Sequence, residues 1–123
     1  MSHSGNIAIL TLTVAAAGTL AASRAVTQAG AYAAAGGKTF GVTRTSAEAA
    51  GDLVPVDVLG TAIVETGAAV SFDADLMVDA QGRVVPLTVG SKYPVGRAMQ
   101  AAGSAGAFIE VLLLPGAVAT ASA

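Results

Sequence analysis

Residues 41–59 read Gly41-Val-Thr-Arg-Thr-Ser-Ala-Glu-Ala-Ala-Gly51-Asp-Leu-Val-Pro-Val-Asp-Val-Leu59, and residues 96–114 read Gly96-Arg-Ala-Met-Gln-Ala-Ala-Gly-Ser-Ala-Gly106-Ala-Phe-Ile-Glu-Val-Leu-Leu-Leu114. Side by side, Gly41 falls on Gly96, Ala47 on Ala102, Ala50 on Ala105, Gly51 on Gly106, Val54 on Ile109, Val56 on Val111 and Leu59 on Leu114. Each block is a short run opened by glycine, an Ala-rich link, a second glycine and an apolar run. Upstream, Val26…Gly30 pairs with Val78…Gly82, three residues out of step with the later blocks. The spacing predicts an internal pseudo-two-fold repeat over about 26–59 and 78–114. Neither copy is large enough to bury its own apolar face, so the two must pack together.

The flanking sequence has the same character. Glycine recurs along the chain, and between the glycines lie short runs of Val, Ile, Thr and Leu. This predicts a mostly β domain, a small β-barrel or β-sandwich with Gly-rich turns. The expected strands are Ile7–Val14, Thr39–Thr45, Leu53–Leu59, Thr61–Glu65 after a turn at Gly60, Val95–Met99 and Phe108–Leu114. Leu76–Ala80 and Arg83–Leu87 read as a hairpin about Gln81-Gly82, while Ser23–Thr27 and Ala31–Ala34 are weaker strands. In Ile7–Val14 the large apolar residues change face near Leu10. In Leu53–Leu59, Val54, Val56 and Val58 share one face, and Pro55, lacking an N–H, calls for an edge or a bulge. The apolar stretch Ile7–Ala22 is short for a membrane span, is interrupted by threonines and has no basic segment before it, so it reads as a buried strand. The division is a flexible N-terminal arm over 1–6, a single β domain over 7–114 and a flexible C-terminal tail over 115–123.

Composition narrows the function classes. The 123 residues include 29 Ala and 15 Gly, against 32 Leu, Ile, Val and Phe, so a core built from them is thin. Six basic and eight acidic residues give a net charge of −2, and the basic ones stand singly. With no basic patch, five aromatic residues and no Trp, nucleic acid is not an expected partner, and no membrane is either. The absence of Cys excludes disulfides, thiol catalysis and the usual structural zinc sites.

No motif carries chemistry of its own. Gly30-Ala-Tyr-Ala-Ala-Ala-Gly36-Gly37-Lys38-Thr39 approaches a phosphate-binding loop, but the position where that loop starts on glycine is held by Tyr32, and residues 39–43 read as strand where the loop needs a helix. Asp73, Asp75 and Asp79 begin like a calcium loop, yet Met77 and Val78 occupy the positions that would need a ligand and a glycine. Asp73 and Asp75 as a hydrolytic pair would need a cleft of binding groups. His3 alone cannot build a nucleophilic triad. Asp52, Asp57, Glu65 and Glu110, with Arg44, Arg83 and Arg97, read as cross-strand or intersubunit ion pairs. Catalytic, cofactor-binding and metal residues are therefore all expected to be none, and the chain is read as no enzyme.

One family pattern runs through the chain. Ala25-Val-Thr-Gln-Ala-Gly-Ala31 and Ala34-Ala-Gly-Gly37 are followed by Phe40-Gly-Val42 and Ala49-Ala-Gly-Asp52. Then come Val56-Asp-Val-Leu-Gly-Thr-Ala-Ile-Val-Glu65, Val95-Gly-Arg-Ala-Met-Gln-Ala-Ala102 and Phe108-Ile-Glu-Val-Leu-Leu113. In order and spacing this resembles the small capsid decoration, or cement, proteins of tailed bacteriophages, over about Ile7 to Leu114. The resemblance implies a structural protein that binds the outer surface of the major capsid protein lattice, of HK97-like fold, and stabilises the phage head. It also implies a homotrimer near three-fold positions, a location on the outer surface of the capsid in the virion, and no catalytic or cofactor residues. Arg97, standing where the first copy has Val42, would put a charge at an interface. The arm over 1–6 would add backbone hydrogen bonds to a neighbouring sheet edge. The alternative is a virion-surface binding module that recognises a receptor or glycan through an aromatic or carboxylate-rich groove.

Overall fold

The computed structural model describes residues 7–88, 90 and 92–114. Its strands are β1 (Ala8–Ala15), β2 (Ala25–Val26), β3 (Gly41–Thr43), β4 (Leu53–Glu65), β5 (Asp75–Val78), β6 (Val84–Pro86), β7 (Gly96–Ala98) and β8 (Phe108–Leu113), and the described residues contain no helix. Hydrogen bonding orders them β2-β3-β4-β8-β7-β5-β6, with β1 paired to β4 off that path. The Ala25 N–H donates to the Gly82 carbonyl at 2.7 Å, and Thr66 bridges Val84. The first contact brings the two ends of the path together, the second lays β6 beside the end of β4, and the sheet is a nearly closed, mostly β barrel.

The register shows the duplication directly. β3 meets β4 with Val42 opposite Asp57 and Thr43 opposite Val56; β7 meets β8 with Arg97 opposite Leu112 and Ala98 opposite Val111. All four residues of the second set are the partners that the sequence blocks assign. The match extends further upstream than the sequence predicts. β1 lies on β4 with Val14 opposite Val54 and Leu12 opposite Val56, as the second half of β4 lies on β8 with Val64 opposite Ile109 and Ala62 opposite Val111. Leu20 bridges Ala47 as Val70 bridges Ala102, and Val26 pairs with Gly41 as Leu76 pairs with Gly96. The upstream counterpart of Val26 is thus Leu76, two residues before the expected Val78. Ser23 and Asp73, also counterparts, are the two non-glycine residues with positive φ, at 60° and 68°. The halves are therefore about 8–59 and 58–114. They share β4, whose first part ends one half and whose second part begins the other.

Each half has the same small core. Val14, Leu20, Val26, Ala47, Val54 and Val56 form one cluster; their counterparts Val64, Val70, Leu76, Ala102, Ile109 and Val111 lie in the other, which Ala25, Ala33 and Val42 join. Side chains this small let strands and links approach closely. Gly41 and Gly96 show the limit. A Cβ on Gly96 would overlap the Leu112 carbonyl oxygen and press on Val111, and one on Gly41 would meet the Asp57 carbonyl and Val56.

Some expectations change. Gly60 is not a turn: β4 runs through it unbroken, and its φ of 99° lets the Ile7 carbonyl pass where a Cβ would stand. The expected change of face near Leu10 is a pair of register shifts, between Ala8 and Leu10 and between Leu10 and Thr11. β1 is not a buried strand. It pairs with β4 alone among the described strands, and only Val14 within it is buried. Ala31–Ala34 forms no strand, and Ser23–Thr27 shortens to β2. Pro55 lies inside β4, but on the side of its carbonyl, which accepts from Arg44 N–H at 3.0 Å, the partner strand β3 has already ended. The arm over 1–6 and the tail over 115–123 lie outside the described residues.

Replacing Gly96 with alanine is expected to force β7 and β8 apart at a cost of about 3 kcal/mol, a fall in Tm of roughly 10 °C for a domain of this size. Gly103→Ala, with open space at the Cβ position, should leave Tm nearly unchanged. Thermal unfolding by circular dichroism checks both.

Candidate functional site

The residues singled out for possible chemistry do not converge. Gly36 and Gly37 form a turn, with Gly37 N–H donating to the Ala34 carbonyl at 2.8 Å, and Lys38–Phe40 lead into β3. Asp79 is used by its own hairpin: Oδ1 accepts the N–H groups of Gln81 and Arg83, and Oδ2 holds Arg83 Nε at 2.9 Å. Asp73 and Asp75 are exposed and flank Arg97, whose Nε lies 3.5 Å from Asp73 Oδ1 and 3.9 Å from Asp75 Oδ1. Asp52 accepts the Glu48 and Ala49 N–H groups in a turn. Glu65 pairs with Arg24 at 2.9 Å, and Glu110 is buried. His3 lies outside the described residues.

What the surface offers is apolar contact. β3 on β4 and β7 on β8 share one register, so at these counterpart positions a difference in side chains is not dictated by the fold. In the first half, Asp57 is 1% exposed, accepts the Thr11 hydroxyl at 2.8 Å and lies 3.2 Å from Arg44 Nε. The counterparts of Thr11, Arg44 and Asp57 are Thr61, Met99 and Leu112. Here the ion pair has become two exposed apolar side chains. Beside them Phe72, 70% exposed, stands where the first half has Ala22, and Arg97 stands for Val42. Phe72, Asp73, Arg97, Ala98, Met99 and Leu112 line a hollow of about 240 Å³. Aromatic residues, Met and Arg are the types enriched where proteins recognise one another. The sequence reading placed Arg97 at an interface but passed over Phe72, Met99 and Leu112. The pairings Arg44/Met99 and Asp57/Leu112 were nevertheless present in the aligned blocks.

A second hollow, of about 350 Å³, opens at the end of the first-half core, between Leu10, Leu12, Phe40, Val58 and Leu59, with Lys38 and Thr39 at its rim. Among the described residues, one apolar recess is thus edged by charges of both signs and another is nearly free of charge.

A family model described as phage cement protein matches residues 3–113. Among solved structures, the chain is similar to the head fiber gp8.5 N base of bacteriophage phi29, at 21% identity and a TM-score of 0.67, with 85% of this chain and 93% of that chain covered. At that identity the likeness is one of fold. No curated protein matches in sequence.

The exposed pairs of Arg97 with Asp73 and Asp75 should contribute little to stability. Changing both aspartates to asparagine is expected to shift Tm by less than about 3 °C. A larger loss, read by thermal unfolding, would show that the carboxylates hold the Phe72 loop.

Proposed function

The chain belongs to the phage cement protein family, and from that premise we propose that it is a non-enzymatic structural protein of the phage head. It binds the outer surface of a major capsid protein lattice of HK97-like fold and strengthens the shell as a homotrimer. The observation that carries this reading is the family match over 3–113. The fold's likeness to a head fiber base is consistent with it.

The surface best suited to the capsid is the hollow of Phe72, Arg97, Met99 and Leu112. Its aromatic and aliphatic groups supply burial, and Arg97 with Asp73 and Asp75 supplies orientation, because charge pairs at a rim govern register and specificity more than affinity. All of these residues lie on or beside β5, β7 and β8, so the surface is preformed and little order is lost on binding. A partner that binds only the assembled shell stabilises it by mass action, in proportion to RT ln(1 + [L]/Kd) for each site. Strengthening the shell this way needs no reacting group.

The test adds purified protein to undecorated capsids. Saturable uptake in multiples of three per capsomer, with a raised disruption temperature, is the expected result. Phe72→Asp and Arg97→Glu should each weaken uptake at least about tenfold, equivalent to ~1.4 kcal/mol, with Tm little changed. Deletion of residues 1–6 should lower occupancy. Absence of uptake, with binding to cell-surface glycans instead, would favour the receptor- or glycan-binding reading.

A further inference from the structure

We propose that the outer edge of β1, together with the hollow beside it, is the surface on which a second copy of this chain docks. The proposal deepens the homotrimer part of the reading above and takes only the copy number from it.

Three observations lead there. The first is the edge itself. β1 is eight residues long and its far edge meets no strand among the described residues. Its sequence, Ala8-Ile-Leu-Thr-Leu-Thr-Val-Ala15, contains no charge and no proline, the usual devices that keep an exposed edge from pairing with another chain. The second is exposure: Ile9 is 72% exposed, Leu10 45% and Leu12 39%. The third is the comparison between halves. The counterpart of Leu12 is Ala62, which is fully buried; Leu10 lies at a register shift of β1 and shares no backbone conformation with Gly60, whose φ is 99°. In the second half this end of the core is closed by small residues within the chain. In the first half it is open and lined with larger ones. Leu12, 39% exposed where the other half buries an alanine, is suited to a cover from outside.

The chemistry of the recess favours a second copy over a different protein. Only Lys38 brings charge to it, so two copies can approach without like-charge opposition at the centre. Interfaces between identical subunits are the more apolar class. Ile9 forms a ridge on one side of the strand and Leu10, Leu12 and Phe40 a recess on the other. Ridge-into-recess contact is head-to-tail, and it forms a ring where its rotation closes.

The experiment uses the full chain without capsid. Native mass spectrometry and light scattering from about 1 to 100 µM should show association of the unaltered protein. Ile9→Asp and Leu10→Asp, each confirmed as folded by its melting curve, should remain monomeric at concentrations at least tenfold higher. Phe72→Asp, on the opposite recess, should associate like the unaltered chain. A monomer throughout the range would overturn the proposal. So would unaltered association in both β1 variants, or dissociation caused by Phe72→Asp alone. Failure of the capsid reading would appear separately, as association without uptake. If Ile9→Asp lowered uptake while association stayed unaltered, the β1 surface would belong to the capsid and the proposal would fail.

Discussion

β4 is the element on which the rest of the structure depends. Its first part takes β1 and β3 on its edges, and its second part takes β8. The two parts have different roles in an otherwise repeated plan, and because they are one strand of 13 residues the halves cannot separate or slip. A one-residue slip would turn the buried face of Val54, Val56, Val58 outward and bring Leu53 and Leu59 in. Gly60 makes the sharing possible. At the middle of the strand it takes a conformation that other residues resist, and it leaves room for the incoming start of β1.

Duplication within one chain separates what the fold requires from what it tolerates. Gly41 and Gly96 are both required, because each leaves a carbonyl of the facing strand in the space of a side chain. Val56 and Val111, or Leu20 and Val70, are buried alike. Between β3–β4 and β7–β8, which share one register, the backbone gives no reason for a difference in chemistry. The buried Asp57, held by Thr11 and Arg44, satisfies its position internally. Leu112 and Met99 at the same places leave about two fifths of their surface in solvent, as do Leu10 and Leu12. Exposed apolar groups gathered in this way mark contact surfaces more clearly than isolated ones do.

This also explains how much was legible in the sequence. The repeat, the strand faces of Val54–Val58 and the change of face near Leu10 could all be read, because period two and glycine spacing are local properties. The shared strand could not. Gly60 after an alternating run has the appearance of a turn, and only the arrival of β1 shows that its positive φ serves a close approach. Ile7–Val14 resembled a buried strand because Ile and Leu on a strand look the same whether the cover is part of the chain or not. The candidate interaction residues Phe72, Met99 and Leu112 shared this ambiguity. The departures of Met99 and Leu112 from Arg44 and Asp57 were visible in the aligned blocks and that of Phe72 from Ala22 only in the strand register, while exposure is a property of the assembled barrel.

The scarcity of large side chains then has a consistent physical role. Among the fully buried residues Leu76 is the largest, and most of the others are Val. Such a core gains less hydrophobic stabilisation per residue than one of Leu and Phe, but it lets the strands approach closely. The larger apolar groups, Ile9, Leu10, Leu12, Phe72, Phe108 and Leu112, lie outside. In a chain acting alone this distribution would be a liability, since these groups are only partly covered and invite aggregation. In a chain that works as one of many identical copies, the same groups lie on preformed strands and lose little freedom when covered. Contacts then stabilise the assembly in proportion to the number of copies, so modest surfaces repeated by symmetry can do the work of a large core.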